Sequence, residues 1–173
     1  MTLEFMAMSW LRFEKRCPVA LFGRSPRHSN GLPDVMGITR DRYLYEIEIK
    51  RSVSDFKANA KKPFHMSRNI AGDTKRHPAL FWFLTPAELT EKVLPLVPGW
   101  AGLLRGPLPN DVQGVFMVKK APRNKLSQRL CTRECVQLAH CMANQIYSFA
   151  RIVSGREEWD RHNAKFLTQD YEI

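Results

Sequence analysis

The most regular stretch of the chain is Tyr43–Lys50, where side chains alternate strictly. Tyr43, Tyr45, Ile47 and Ile49 fall on one side of an extended strand, and Leu44, Glu46, Glu48 and Lys50 on the other. Just upstream, Val35-Met36-Gly37-Ile38 is a second short apolar run, and Pro33 ahead of it suits the first residue of a strand rather than its middle. Arg40-Asp41-Arg42 between the two runs reads as a three-residue hairpin turn centred on Asp41. That register sets Asp34 directly opposite Glu48.

Elsewhere the period of the pattern changes. Residues 2 to 16 carry Leu3, Met6, Ala7, Trp10 and Phe13 at three- and four-residue spacings, which predicts a helix capped by Thr2. Cys17 to Phe22 follows as a strand, and Gly23 to Gly31 as a loop. After the hairpin, Ser52 and Asp55 make a capping-box signature with aspartate in place of glutamate, opening a helix to Lys62 before Pro63 stops it. Phe64 to His77 is polar and basic, a helix or an ordered loop. Ala79 to Leu84 is a continuous apolar run, the mark of a strand covered on both faces.

A short helix from Pro86 to Val93 is broken by Pro95 and Pro98, and Ala101–Leu104 and Gly114–Lys119 read as two more strands, joined by a segment longer than a hairpin needs. The tail opens with basic Arg123-Asn124-Lys125 and carries a helix over Thr132–Val153, with Leu138, Met142, Ile146, Phe149 and Ile152/Val153 as the apolar face that meets the sheet. Strands alternating with helices predict an α/β fold.

Composition narrows the class. With 173 residues the chain suits one domain. Lys and Arg total 27 against 17 Asp and Glu, a net charge of +10 that favours a polyanionic partner. Nucleic acid fits that balance best; an anionic membrane surface is the other candidate. No apolar run approaches the roughly 20 residues of a spanning helix, and no signal-peptide pattern opens the chain, so a cytoplasmic location is expected. Four cysteines agree with a reducing compartment, where they stay thiols or bind metal.

The acidic face of the hairpin has two readings. It is the solvated side of an antiparallel sheet, or it is a place where opposed carboxylates repel until a divalent cation lies between them. Pro33-Asp34 followed by Glu48-Ile49-Lys50 on the next strand, then Ser52 and a basic helix, resembles the PD-(D/E)xK nuclease superfamily, with its restriction-endonuclease-like core. Within it, Asp34-Val35-Met36, Glu46 to Lys50 and Ser52 to Lys57 are similar to small MmcB-like and phage-encoded DNA-repair nucleases. Phe83 to Pro86, Val97 to Leu104 and Lys119 to Pro122 resemble the sheet-completing half of the same proteins.

The resemblance covers residues 1–122 as the nuclease-like core, leaving 123–173 as a basic linker and a helical extension on the same domain. It implies a mixed central sheet flanked by helices, with the C-terminal helix added. It also implies a metal-dependent deoxyribonuclease in which Asp34, Glu48 and the Ile49 carbonyl hold Mg²⁺ or Mn²⁺. Lys50 then orients or deprotonates the attacking water, and Glu46 supports them from the same face. Glu4 is read either as an acid favouring its helix dipole or as the extra acidic ligand this superfamily often carries on its first helix.

Phosphate contacts are expected from Arg24, Arg27 and His28 in the loop before the hairpin, from Ser52, Lys57, Lys61 and Lys62 on the basic helix, and from Arg68, Lys75 and Arg76 beyond it. Cys131, Cys135 and Cys141, with Cys17, resemble the iron–sulfur clasp of RecB-type nucleases but depart from its spacing. They are read as small buried apolar residues, with a cluster or zinc as the alternative. Partners in repair or phage replication, and a homodimer, are compatible with this. The alternative function is a nucleic-acid binder that has kept the fold without cutting. No phosphate-cradling glycine loop is present, so coupling to ATP is not expected.

Overall fold

The computed structural model describes residues 2–23, 33–59, 77–108 and 114–153. Helix α1 (Leu3–Phe13) leads into β1 (Val19–Phe22), the hairpin β2 (Val35–Ile38) and β3 (Leu44–Ile49), and helix α2 (Val53–Asn59). Then come β4 (Leu80–Thr85), α3 (Ala87–Val93) with a 3₁₀ turn at Leu94–Leu96, β5 (Gly102–Arg105), β6 (Phe116–Lys119) and the long α4 (Thr132–Val153). Among the described residues the six strands form one sheet in chain order. β1–β2, β2–β3 and β5–β6 pair antiparallel, while β3–β4 and β4–β5 pair parallel. The fold is therefore α/β with a mixed sheet, and the helices flank it.

The hairpin turn is built as the residues foretell. Thr39 and Tyr43 close it through the Thr39 N–H to Tyr43 carbonyl bond at 2.9 Å, and Arg42 takes the left-handed conformation at φ 65°. A three-residue loop ending in that conformation is a common hairpin geometry. Val35 faces Ile47, Met36 faces Glu46 and Ile38 faces Leu44. One step further along the same register, Asp34 faces Glu48.

The two faces of the sheet are covered differently. On one, α1 lays Ala7, Trp10 and Leu11 against Ala20, Val35, Ile47, Ile49, Trp82, Leu84 and Leu104. Each fully buried leucine there contributes about 2 kcal/mol. The other face carries two separate patches. Leu138, Cys135, Cys141 and Met142 of α4 pack on Leu21, Met36, Ile38 and Leu44. Phe56 of α2 with Leu89 and Val93 of α3 packs on Phe81, Phe83 and Leu103. β3 passes between these patches, and the alternation puts Glu46 and Glu48 there.

Three expectations change. The solvated acidic face is not found: Glu46 is 2% and Lys50 3% exposed, because helices cover both sides of β3. Helix α1 stops at Phe13 rather than residue 16, since Arg16 turns left-handed at φ 54° and the Cys17 N–H bonds back to the Leu11 carbonyl. On α4 the face meeting the sheet is Cys135, Leu138, Cys141 and Met142, with Phe149 edge to face on Phe22 of β1 at 5.5 Å between ring centroids, while Ile146 is 56% exposed. Gln145, not an apolar residue, fastens the helix to β1: its amide accepts from the Phe22 N–H at 3.2 Å and donates to the Phe22 carbonyl. That also occupies the open edge of the first strand.

Arg42 supplies a test. In the left-handed region any side chain with a Cβ costs about 1–2 kcal/mol relative to glycine, and a β-branched one is disfavoured further. Arg42→Val should therefore lower the urea midpoint, while Arg42→Gly leaves it level or higher. Equal loss in both would place the constraint in the arginine side chain instead of the turn.

Candidate active site

The site is at the end of β3 where the strand passes into α2. Asp34 stands one residue before β2 begins, and its Oδ2 accepts the Ile49 N–H at 2.7 Å. The carboxylate thus takes a donor at the point where the β2 backbone no longer continues the ladder. N–H and C=O of one strand residue face the same edge, so the Ile49 carbonyl is directed toward Asp34. On the far edge, the Lys50 N–H donates to the Leu84 carbonyl of β4 at 2.9 Å.

Glu48 is balanced from within the chain. Lys50 Nζ lies 3.0 Å from Glu48 Oε1 and 3.6 Å from Asp55 Oδ1 of α2, with side-chain exposures of 4% for Lys50, 14% for Glu48 and 48% for Asp55. An ammonium this enclosed is tolerated only with paired charge. Of the two opposed carboxylates, that of Asp34 accepts a backbone N–H and that of Glu48 lies against Lys50.

Asp55 was legible in the sequence only as a cap. The Ser52 hydroxyl does accept the Asp55 N–H at 3.1 Å, as a cap should, but the Asp55 carboxylate turns to Lys50 rather than back to Ser52. An acid five places after the lysine, in the first turn of the next helix, was the available signal.

Glu4 goes elsewhere. It sits on α1, the helix of the opposite face, and accepts from the Arg51 guanidinium. Burial works to raise the Glu4 pKa, but its own backbone N–H and the Arg51 hydrogen bond and charge outweigh this and leave it below the ordinary value. Both partners are well exposed, so the pair is worth about 0–1 kcal/mol. Among the described residues no three His, Cys, Asp or Glu side chains are grouped to hold a metal, and the partner the structure gives Glu4 is Arg51.

Of the expected phosphate contacts, Ser52 caps α2 with its hydroxyl, and Lys57 is exposed on the same helix. Arg24, Arg27, His28, Lys61, Lys62, Arg68, Lys75 and Arg76 lie outside the described residues. The four-cysteine alternative is divided by the sheet: Cys17 is buried on the α1 side, while Cys135 and Cys141 pack on the other. Burial pushes the Cys17 thiol up to about 12 against the pull of Lys15 and Arg12. Burial raises Cys135 too. Both are thus thiols at neutral pH, and Cys131 is exposed.

No protein-family model matches the chain, and no curated protein matches it. Among solved structures it is similar to a protein of unknown function from Silicibacter pomeroyi, at 21% identity and a TM-score of 0.57, over 92% of this chain and 93% of that one. The likeness is one of fold. No helix among the described residues is long and apolar enough to cross a membrane.

The Lys50–Glu48 pair can be measured. Lys50→Met removes the ammonium beside the largely buried Glu48 carboxylate and should cost about 1–3 kcal/mol. Adding Glu48→Gln should recover part of that loss. Urea unfolding of the two singles and the double reads the coupling, and strictly additive losses would show that the pair contributes nothing.

Proposed function

We propose that the chain is a metal-dependent nuclease of the PD-(D/E)xK kind, with a restriction-endonuclease-like core, that hydrolyses phosphodiester bonds in DNA. The observation that carries this reading is the hairpin register, which leads Asp34 across from Glu48 at the strand end where Lys50 Nζ meets Glu48. The donor set fits a hard cation: Mg²⁺ and Mn²⁺ take one or two carboxylates, add carbonyl oxygens and keep several waters. Asp34 and Glu48 would hold it, with the Ile49 carbonyl as a third oxygen. When bound, such an ion lowers the pKa of a water and neutralises charge on the scissile phosphate.

The chain's own groups do the rest. Lys50 would bring positive charge to where the phosphate gains negative charge, and its ammonium would orient the attacking water. Lys57 on the outer side of α2 and the basic excess of +10 hold the DNA backbone without reading its bases.

One observation favours a second reading. Lys50 is already paired with Glu48 and Asp55 in a nearly closed setting, which suits a DNA-binding protein that keeps the fold without cutting. Plasmid, linear and branched DNA incubated with Mg²⁺, Mn²⁺ or EDTA separates the two. Cleavage that needs the metal supports the nuclease; none under any condition supports the binder.

Asp34→Asn and Glu48→Gln should weaken Mn²⁺ binding and abolish cleavage. Lys50→Ala should keep Mn²⁺ affinity within a few fold while slowing single-turnover cleavage about 10²-fold or more, roughly 3 kcal/mol of transition-state stabilisation. Parent-like cutting by Lys50→Ala would remove the hairpin from the chemistry.

DNA affinity should also respond steeply to salt and weakly to sequence. With ~6 phosphate contacts it falls by about 10³ between 50 and 200 mM salt. A flat titration by fluorescence anisotropy would exclude this mode of binding.

A further inference from the structure

We infer that Asp55 is a positioning residue for Lys50, the second seat that keeps the ammonium in place when Glu48 turns to a cation. This rests on the nuclease reading above and adds to it a residue that the hairpin motif does not contain.

Lys50 Nζ sits between two carboxylates, 3.0 Å from Glu48 Oε1 and 3.6 Å from Asp55 Oδ1. Its side chain is 4% exposed, so it has little water to fall back on. A buried ammonium stripped of its partner is costly. Yet Glu48 cannot serve a divalent cation and Lys50 equally, because the two positive charges repel across the shared carboxylate. Asp55 resolves that competition. Its carboxylate is not spent on the helix cap, and at 48% exposure it can close on Lys50 without disturbing the core.

The place of Asp55 is itself secured from both sides. Its N–H is held by the Ser52 hydroxyl, and the next residue, Phe56, packs on Phe83 with ring centroids 4.6 Å apart. The turn that carries Asp55 is therefore anchored to β4, which keeps its carboxylate within closing distance of Lys50.

The test is Mn²⁺ affinity by calorimetry on the full chain, independent of cutting. Asp55→Asn should weaken Mn²⁺ binding about tenfold, and Asp55→Glu, which keeps the charge and lengthens the reach, should stay within about twofold of the parent. In a Lys50→Met background, Asp55→Asn should change the affinity by less than about twofold, because the ammonium it positions is gone. The same tenfold loss with and without Lys50 would mean that Asp55 acts only as a nearby negative charge, and would overturn the inference. So would a loss in Asp55→Glu as large as in Asp55→Asn. Unchanged affinity in Asp55→Asn, with the parent binding Mn²⁺, overturns the inference alone. A parent that binds no Mn²⁺ overturns both it and the nuclease reading.

Discussion

Charge buried on β3 has to be matched, and the end of the hairpin is organised around that requirement. Glu46 and Lys50 are almost wholly enclosed and Glu48 nearly so, on a strand flanked by neighbours on both edges and helices on both faces. Isolated charges in such a setting cost several kcal/mol each. The backbone N–H of Ile49 meets Asp34, and the ammonium of Lys50 meets Glu48 and Asp55. These contacts tie β2, β3 and α2 together at one point, so the geometry of the candidate site and the closure of the sheet are the same set of bonds.

The packing of the sheet leaves room for that arrangement. α1 covers one face with a continuous apolar layer, in which Trp10 and Tyr45 both meet Trp82 edge to face. The opposite face is shared between α4 over β1 to β3 and the α2–α3 pair over β4 and β5. A layer split in two provides a seam, and β3 runs along it with its acids directed into the seam. Placing polar groups where two apolar patches part is less costly than placing them inside either one.

The proposed chemistry follows from that seam and from the charge of the whole chain. On that proposal, the net charge of +10 would draw a polyanion to the surface, and the opposed Asp34 and Glu48 would offer oxygens to a cation. Lys50 lies beside Glu48 and Asp55, and under the proposed chemistry its ammonium would offer positive charge to phosphate.

Much of this was written in short-range pattern. The strict alternation of Tyr43 to Lys50 and the Arg40-Asp41-Arg42 turn determined the register of the hairpin, because a turn of known length leaves a period-two strand one consistent pairing. The run Ala79 to Leu84 announced a buried central strand, and the span of α4 followed from its three- and four-residue spacing. What local pattern does not carry is which side of an alternating strand faces water. Sequence leaves Glu46 and Lys50 open to a solvated reading, whereas the fold encloses both, and Gln145 fastens α4 to an edge strand 123 residues away. The separation of Cys17 from Cys135 and Cys141 likewise depends on which face each helix takes. So does the pairing of Glu4 with Arg51, because a side chain's spacing fixes its neighbours along one element, and only the packing of elements decides its partners across the fold.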